Sequence, residues 1–293
     1  MDTVAIFGST SFIGKHLVSF FESVNVATYG FNRTDSSVSG FDLEKECWDL
    51  SVLENKNVKY GIITAGVTRM MQCENEPATT HKINVTATGK LMQELRALNI
   101  IPVIFSTDYV YSGYSGNYNE LSEQSPLNEY GKQKKELEIF ADKHIDKYIL
   151  VRPAKVYDMD PASNGILSEM ISAIKNNQVI RAAKDQVFNM ITLTDLSKVI
   201  YFLIEKKFIG KMQVCSREIF SRYDLAVKLV ASVYGSEIAK KKIQPILLAD
   251  LGEKFGRPKN TTMDTQKLSD TGYRDTMFSV DDYIINLKKS NYE

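Results

Sequence analysis

Tyr130 and Lys134 stand four residues apart, with Thr107 upstream of both. On a helix, side chains at i and i+4 share a face, so a phenol and an ammonium would project together. A free tyrosine has a pKa of about 10 and is a poor acid or base near neutrality. A cation beside it stabilises the phenolate and moves the group toward a useful range. The stretch Ser106-Thr107-Asp108-Tyr109 follows an apolar run and sets hydroxyls just past its end. Thr107 can there hydrogen-bond the same substrate oxygen as Tyr130. This set could donate a proton to an oxygen as a carbonyl is reduced. A lone Tyr-x-x-x-Lys also describes an ordinary solvated helix face; its position after a strand ending in Ser-Thr makes it a candidate.

A second set has no side-chain chemistry of its own. Gly8-Ser9-Thr10-Ser11-Phe12-Ile13-Gly14 joins a short apolar run to an amphipathic one. Backbone N–H groups at a helix N-terminus after a first strand are where a dinucleotide pyrophosphate binds. Gly8 permits the turn, and Gly14 lets the helix pack closely. Ser11 takes the place of a middle glycine and can offer its hydroxyl to phosphate. Phe12 and Ile13 open the helix. Further on, Asn32 and Arg33 end the second strand. A cation there suits a 2′-phosphate, whereas enzymes preferring NAD usually place a carboxylate near this point. Arg33 therefore predicts NADP(H), with NAD(H) as the other option. Asp49 and Leu50 are expected over the adenine, and Ala65 and Gly66 beside the nicotinamide.

These residues need a frame that brings strand ends together. Strand-like runs occur at 4–7, 26–31, 60–64, 101–105 and 148–151, and helical patterns at 13–21, 80–98 and 128–144. Strands alternating with helices predict parallel βαβ units and a doubly wound sheet. After residue 152 the pattern loosens. Helices are expected at 166–175, 193–205, 221–234 (with Ser221 as N-cap) and 280–288, a turn-rich stretch near 184–186, and a loop at 256–260. No repeat, low-complexity segment or linker interrupts the chain.

Composition removes several classes. The 293 residues carry 36 Lys+Arg and 36 Asp+Glu, a zero balance that gives no electrostatic footprint for nucleic acid or an anionic membrane. No apolar run approaches the roughly 20 residues that a spanning helix needs. Three cysteines at wide spacing fit a reduced, cytoplasmic protein better than a disulfide framework. No Cys/His cluster suggests a metal site. A strand-like run begins at Val4, so the expectation is that no signal segment precedes the fold.

Together these motifs resemble the extended short-chain dehydrogenase/reductases. Ser106-Thr107-Asp108-Tyr109-Val110-Tyr111, then Ser125-Pro126-Leu127-Asn128 running into Tyr130-Gly131, resemble the dTDP-4-dehydrorhamnose reductase family. Arg152-Pro153, Asp185-Gln186, Thr194-Asp195-Leu196, Ser221-Arg222-Tyr223-Asp224 and Arg257-Pro258-Lys259-Asn260 extend the likeness along nearly the whole chain. The resemblance implies an α/β fold: a Rossmann-like, doubly wound parallel sheet with a smaller α/β substrate lobe. It assigns 1–156 to the NADP-binding domain, with 187–210 returning to it, and 157–186 and 211–293 mainly to the lobe. It implies hydride transfer from a reduced nicotinamide to the C4 ketone of a nucleotide-linked 6-deoxy sugar. Tyr130 would donate the proton, Lys134 would tune the tyrosine and hold the nicotinamide ribose, and Thr107 would orient the ketone. Thr68, Asn84, Asp108 and Arg257 are the expected substrate contacts, with Arg257 gripping the diphosphate. A homodimer is the family expectation. Two alternatives stay open: an epimerase or dehydratase of the same superfamily, and a non-catalytic, NADP-binding regulatory subunit.

Overall fold

The computed structural model describes residues 3–33, 40–252 and 255–290. In chain order the first half contains β1 (Thr3–Phe7), α1 (Phe12–Ser23), β2 (Thr28–Phe31), β3 (Val58–Ile63), α2 (Met70–Asn75), α3 (Pro77–His81), α4 (Thr88–Ala97), β4 (Ile101–Phe105), α5 (Glu129–His144) and β5 (Ile149–Pro153). The second half contains β6 (Lys155–Tyr157), α6 (Ile166–Lys175), β7 (Ile180–Ala183), β8 (Val187–Thr192), α7 (Leu193–Glu205), β9 (Gly210–Val214), β10 (Ile219–Ser221), α8 (Arg222–Tyr234), α9 (Ser236–Lys242), β11 (Ile243–Ile246), α10 (Gln266–Asp270) and α11 (Val280–Ser290).

The chain divides into two compact units. The first comprises Met1–Val110, Gln124–Arg152 and Ser197–Met212, and the second Tyr111–Glu123, Pro153–Leu196 and Gln213–Glu293. The first unit is built on a six-stranded sheet of order β2-β1-β3-β4-β5-β9. The first five of these strands pair in parallel. Their residues are apolar on both faces: Val4, Ala5, Ile6 and Phe7 are all fully buried. Such continuous apolar strands belong to a sheet covered by helices on both sides. Strand order reverses at β1, and the crevice outside the carboxyl ends there is where open α/β sheets bind ligands.

The second unit holds a three-stranded sheet of order β10-β8-β6 and a parallel pair, β11-β7. Leu167, Met170, Leu225, Leu229 and Tyr283 from three helices form its core. This unit departs from the expected boundaries. Residues 187–196 do not return to the first unit, because β8 pairs with β6 and β10 in its own sheet. Residues 111–123 join the second unit: Tyr118 N donates to Thr262 O at 2.9 Å, and Asn260 N donates to Gly113 O at 2.9 Å. Residues 211–212 instead complete the first unit's sheet through β9.

Candidate active site

The turn after β1 is built by close backbone approach. Gly8 has φ +95°, and a Cβ there would sit 2.7 Å from Ala65 N; a Cβ on Gly14 would sit 2.1 Å from Gly8 O. Any larger residue would fill this cradle, so α1 seats against the ends of β1 and β3 only with glycine at both positions. Ser11 is the N-cap of α1, its Oγ accepting from Gly14 N at 3.0 Å and donating to Thr64 Oγ1 at 3.0 Å. Its hydroxyl is thus engaged in capping, while the residue itself lines the cavity beside the turn. Phe12 and Ile13 open the helix, where the first N–H groups have no intrahelical partner. Thr64, not foreseen from the sequence, donates to Gly8 O and latches β3 to the turn.

A cavity of about 300 Å³ opens here, lined by Gly8, Ser11, Asn32, Arg33, Ala65 and Gly66 among others. Asn32 is nearly buried and donates to Ser9 Oγ at 3.2 Å, while Arg33 is exposed. Asp49 and Leu50 do not line the cavity. Asp49 instead accepts from Ser51 N, an Asx turn that starts a 3₁₀ turn, and Leu50 packs in the core beside Phe41, Leu43 and Leu53. Phe41, Asp42, Leu43 and Glu44 take their place along the cavity. Two carboxylates, Asp42 and Glu44, thus share the wall with Arg33. Their signal, Phe-Asp-Leu-Glu, lies beyond the strand end where an acid is usually sought.

At the other end of the crevice, Asn128 caps α5 by accepting from Gly131 N at 2.9 Å. A Cβ on Gly131 would meet Tyr109 O at 2.3 Å, so this glycine lets the start of α5 approach the segment that follows β4. Thr107 and Lys134 are buried and Tyr130 is half-buried. The Thr107 hydroxyl lies beside the Tyr130 side chain, and the ring of Tyr109 meets Tyr130 edge-on at 6.4 Å. Lys134 Nζ donates to Phe105 O at 2.9 Å. The structure thus brings Thr107, Tyr130 and the start of the Lys134 turn to one strand end.

The electrostatics differ from the sequence expectation. Burial pushes the Tyr130 phenol above its ordinary value, and the nearby Asp108 carboxylate adds to this; the neighbouring Thr107 hydroxyl opposes it. The Lys134 ammonium is not among the causes. Burial instead lowers Lys134 to about 8, against the opposing pull of Cys73 and Glu138. Tyr130 therefore stays a neutral phenol, the form a proton donor must have.

The remaining expected contacts divide. Asp108 is buried and accepts from Thr107 Oγ1 at 3.1 Å. Thr68 is exposed. Asn84 is buried in a single π-helical turn, Lys82–Ala87. Its Oδ1 accepts from Val67 N at 2.8 Å, and its Nδ2 donates to Val67 O and to Gln133 Oε1. Its amide is thus engaged in clamping the segment after β3 to α5, which replaces the expected substrate contact with a positioning one. Gln133, the α5 end of this clamp, also donates to Thr80 Oγ1 at 2.9 Å. In the second unit, the Arg257 guanidinium lies over the Phe255 ring at 5.7 Å. The following residues are pinned by Val187 N to Lys259 O and by Lys259 to Asp185 at 3.0 Å. No cluster of three or more His, Cys, Asp or Glu side chains suited to a metal occurs among the described residues, and no described helix is long and apolar enough to cross a membrane.

Comparison with known proteins places the fold and the family. A dTDP-4-dehydrorhamnose reductase of Aggregatibacter actinomycetemcomitans is 25% identical over 243 residues, 78% of this chain and 81% of that protein. The methionine adenosyltransferase 2 subunit beta of Mus musculus is 23% identical over 280 residues, 92% of this chain and 82% of that one. In fold, the chain matches a Bacillus anthracis dTDP-4-dehydrorhamnose reductase solved in complex with NADP, with a TM-score of 0.83 at 23% identity, covering 99% of this chain and 98% of that one. The family model described as "RmlD substrate binding domain" matches residues 1–280, and the chain belongs to that family.

Proposed function

We propose that the chain is an NADPH-dependent reductase of a nucleotide-linked 4-keto-6-deoxy sugar. The observation that carries this reading is the convergence of Thr107, a neutral Tyr130 and the buried Lys134, which donates to Phe105 O, at the end of one strand. The glycine cradle and the cavity beside Arg33 fit a dinucleotide, since a side chain at Gly8 or Gly14 would fill the space. The N–H groups of Phe12 and Ile13 would face its pyrophosphate, and Ala65 and Gly66 would line its far side. When bound, the reduced nicotinamide supplies the hydride. Tyr130 donates its proton to the developing alkoxide, Thr107 orients the ketone oxygen, and Lys134 holds the cofactor ribose and steadies the phenolate once it forms. In the free protein the Thr107 hydroxyl proton goes to Asp108, and it turns to the ketone oxygen when substrate binds. Arg257 is assigned to the substrate diphosphate, for which a guanidinium fork is suited.

NADPH oxidation followed with a dTDP-linked 4-keto-6-deoxy sugar tests the reading, and turnover with loss of the ketone is the expected result. Relatives named as a subunit of methionine adenosyltransferase favour a second reading, a cofactor-binding subunit without reductase turnover. NADP binding with no oxidation of NADPH by any 4-keto sugar nucleotide would favour that reading.

A further inference from the structure

Tyr130, Lys134 and Glu138 follow one another at i, i+4 and i+8 along one face of α5. Glu138 is 1% exposed, and so is its partner Arg152 at the end of β5. The pair is bidentate: Arg152 Nε donates to Oε1 at 2.9 Å and Nη2 to Oε2 at 2.6 Å. The Ser106 hydroxyl also donates to Oε1, and Gln124 Nε2 donates to Oε2 at 2.7 Å. Lys211 Nζ lies 3.6 Å from Oε2 but pairs more closely with Asp142, at 2.7 Å.

A buried ion pair is weak support for stability, because well-packed apolar residues often do as well or better. Its placement offers another reason for it. Glu138 grips Ser106, which immediately precedes Thr107, and Lys134 grips the carbonyl of Phe105. Two successive turns of α5 therefore hold two successive residues of the strand end that presents Thr107.

We propose that the Glu138–Arg152 pair is a positioning device: it fixes the end of β4 so that Thr107 meets Tyr130, and its carboxylate keeps Lys134 an ammonium. The purpose of the device rests on the reductase reading; its electrostatic effect does not. The groups facing Lys134 are few. Tyr130 and Glu138 come from its own helix, the Phe105 carbonyl from β4, and the Cys73 thiol from α2. Burial pushes that thiol upward, so it is uncharged near neutrality and pulls on Lys134 only in alkaline solution, leaving Glu138 as the negative charge that acts near neutrality. Arg152, Lys211 and Asp142 lie beyond Glu138. Glu138 is held low by Arg152 and Ser106 despite its burial, so it remains ionised and opposes the loss of charge from Lys134.

The test reads Lys134 directly. The protein is labelled with ¹³C at lysine Cε, and the Lys134 resonance is identified by its loss in K134M. Titration without cofactor or substrate should give a midpoint near 8. In E138Q the carboxylate is gone while the Arg152 charge remains, so the midpoint should fall. The double variant E138L/R152M removes both charges without orphaning either. Its melting temperature should stay near that of the unaltered protein, with the Lys134 midpoint still lowered and kcat about tenfold down, while KM for NADPH changes less. An unmoved midpoint in folded E138Q overturns the proposal. If E138Q does not fold, an unmoved midpoint with unaltered kcat in the double variant overturns it equally. Absence of turnover in the unaltered protein would sink the reductase reading alone, since the titration needs no chemistry.

Discussion

The two ends of the β1–β3–β4 crevice are made in opposite ways. The nucleotide end is shaped by missing side chains: Gly8 and Gly14 let three backbone segments touch beside a capping serine, with Asn32, Arg33, Asp42 and Glu44 only along the cavity wall. The other end is shaped by buried polar side chains, with Thr107, Asp108, Lys134, Glu138 and Arg152 all under 9% exposed. A backbone cradle has little to adjust. A buried polar network can place a proton and tune a charge, but each group must find a partner or destabilise the fold. Changes at the first end should therefore act on cofactor binding and stability, and changes at the second on turnover and pH dependence.

The largest separation should come from Tyr130→Phe. It removes one hydroxyl at the polar end and leaves every backbone contact in place. Turnover should fall by about 10²–10⁴-fold, the usual worth of a positioned proton donor. Cofactor affinity and melting temperature should hardly move. Steady-state NADPH oxidation beside a fluorescence titration of NADPH checks both halves, and activity within a few-fold of the unaltered protein would remove Tyr130 from its role.

Gly14→Ala probes the opposite end. Alanine improves helix propensity by about 1 kcal/mol over glycine. Its Cβ, however, would lie 2.1 Å from the Gly8 carbonyl oxygen, which is backbone and cannot rotate away. Overpacking of this kind costs about 1–3 kcal/mol, so the net effect should be destabilising. Chemical denaturation should show that loss together with at least tenfold weaker NADPH binding. A variant as stable as the original, binding NADPH as tightly, would mean that the cradle is not closed as described.

The cradle was legible in the sequence, because glycines at a strand–helix junction have few other reasons to be there. The helix bearing Tyr130 and Lys134 was legible too, through its period and its Asn128 cap. Less was visible where tertiary pairing decides. The helix expected over 80–98 is broken by the π-turn around Asn84, whose amide serves Val67 and Gln133 across 17 and 49 residues. Nothing local in the sequence marks Glu138 and Arg152 for burial, since such residues are mostly exposed. Their pairing on separate elements is what buries them. Strand β9 carries Lys211 and Gln213 between its apolar residues, and its place in the sheet depends on β5, so its short pattern did not stand out. The division into units failed at 111–123 and 187–196 for the same reason: long-range pairings, not local composition, set it.

Lys134 supplies a pH test at the polar end. Its folded value of about 8 lies below the ordinary lysine value of about 10.4. Between these values the unfolded chain binds the proton that the folded protein has released, so stability rises with pH across that window. The difference, about 2.4 units at 1.36 kcal/mol each, is worth about 3 kcal/mol. The gap in unfolding free energy between the unaltered protein and Lys134→Met should therefore shift in favour of the former from pH 7.5 to pH 10.5. Over the same range the ammonium is lost and turnover should decline. A gap that is flat with pH would show that Lys134 keeps an ordinary titration despite its burial.

The smallest effect belongs to Arg33, because its setting is mixed. It is exposed at the cavity edge, where water weakens a charged contact, and it shares the wall with Asp42 and Glu44. A hydrogen bond to a charged group contributes about 1.5–3 kcal/mol, the lower figure suiting an exposed site. Arg33→Ala should thus reduce the preference for NADPH over NADH by about tenfold. The two carboxylates should act in the other direction: each repels a 2′-phosphate and can accept from a ribose diol. Asp42→Asn with Glu44→Gln should therefore raise the NADPH preference by a few-fold. Binding both cofactors by fluorescence titration in the two variants separates the contributions, and doing so at low and high salt exposes the screened part. If Arg33→Ala leaves the ratio unchanged while the carboxylate variant shifts it, the acids set cofactor choice and the arginine is a solvated edge residue.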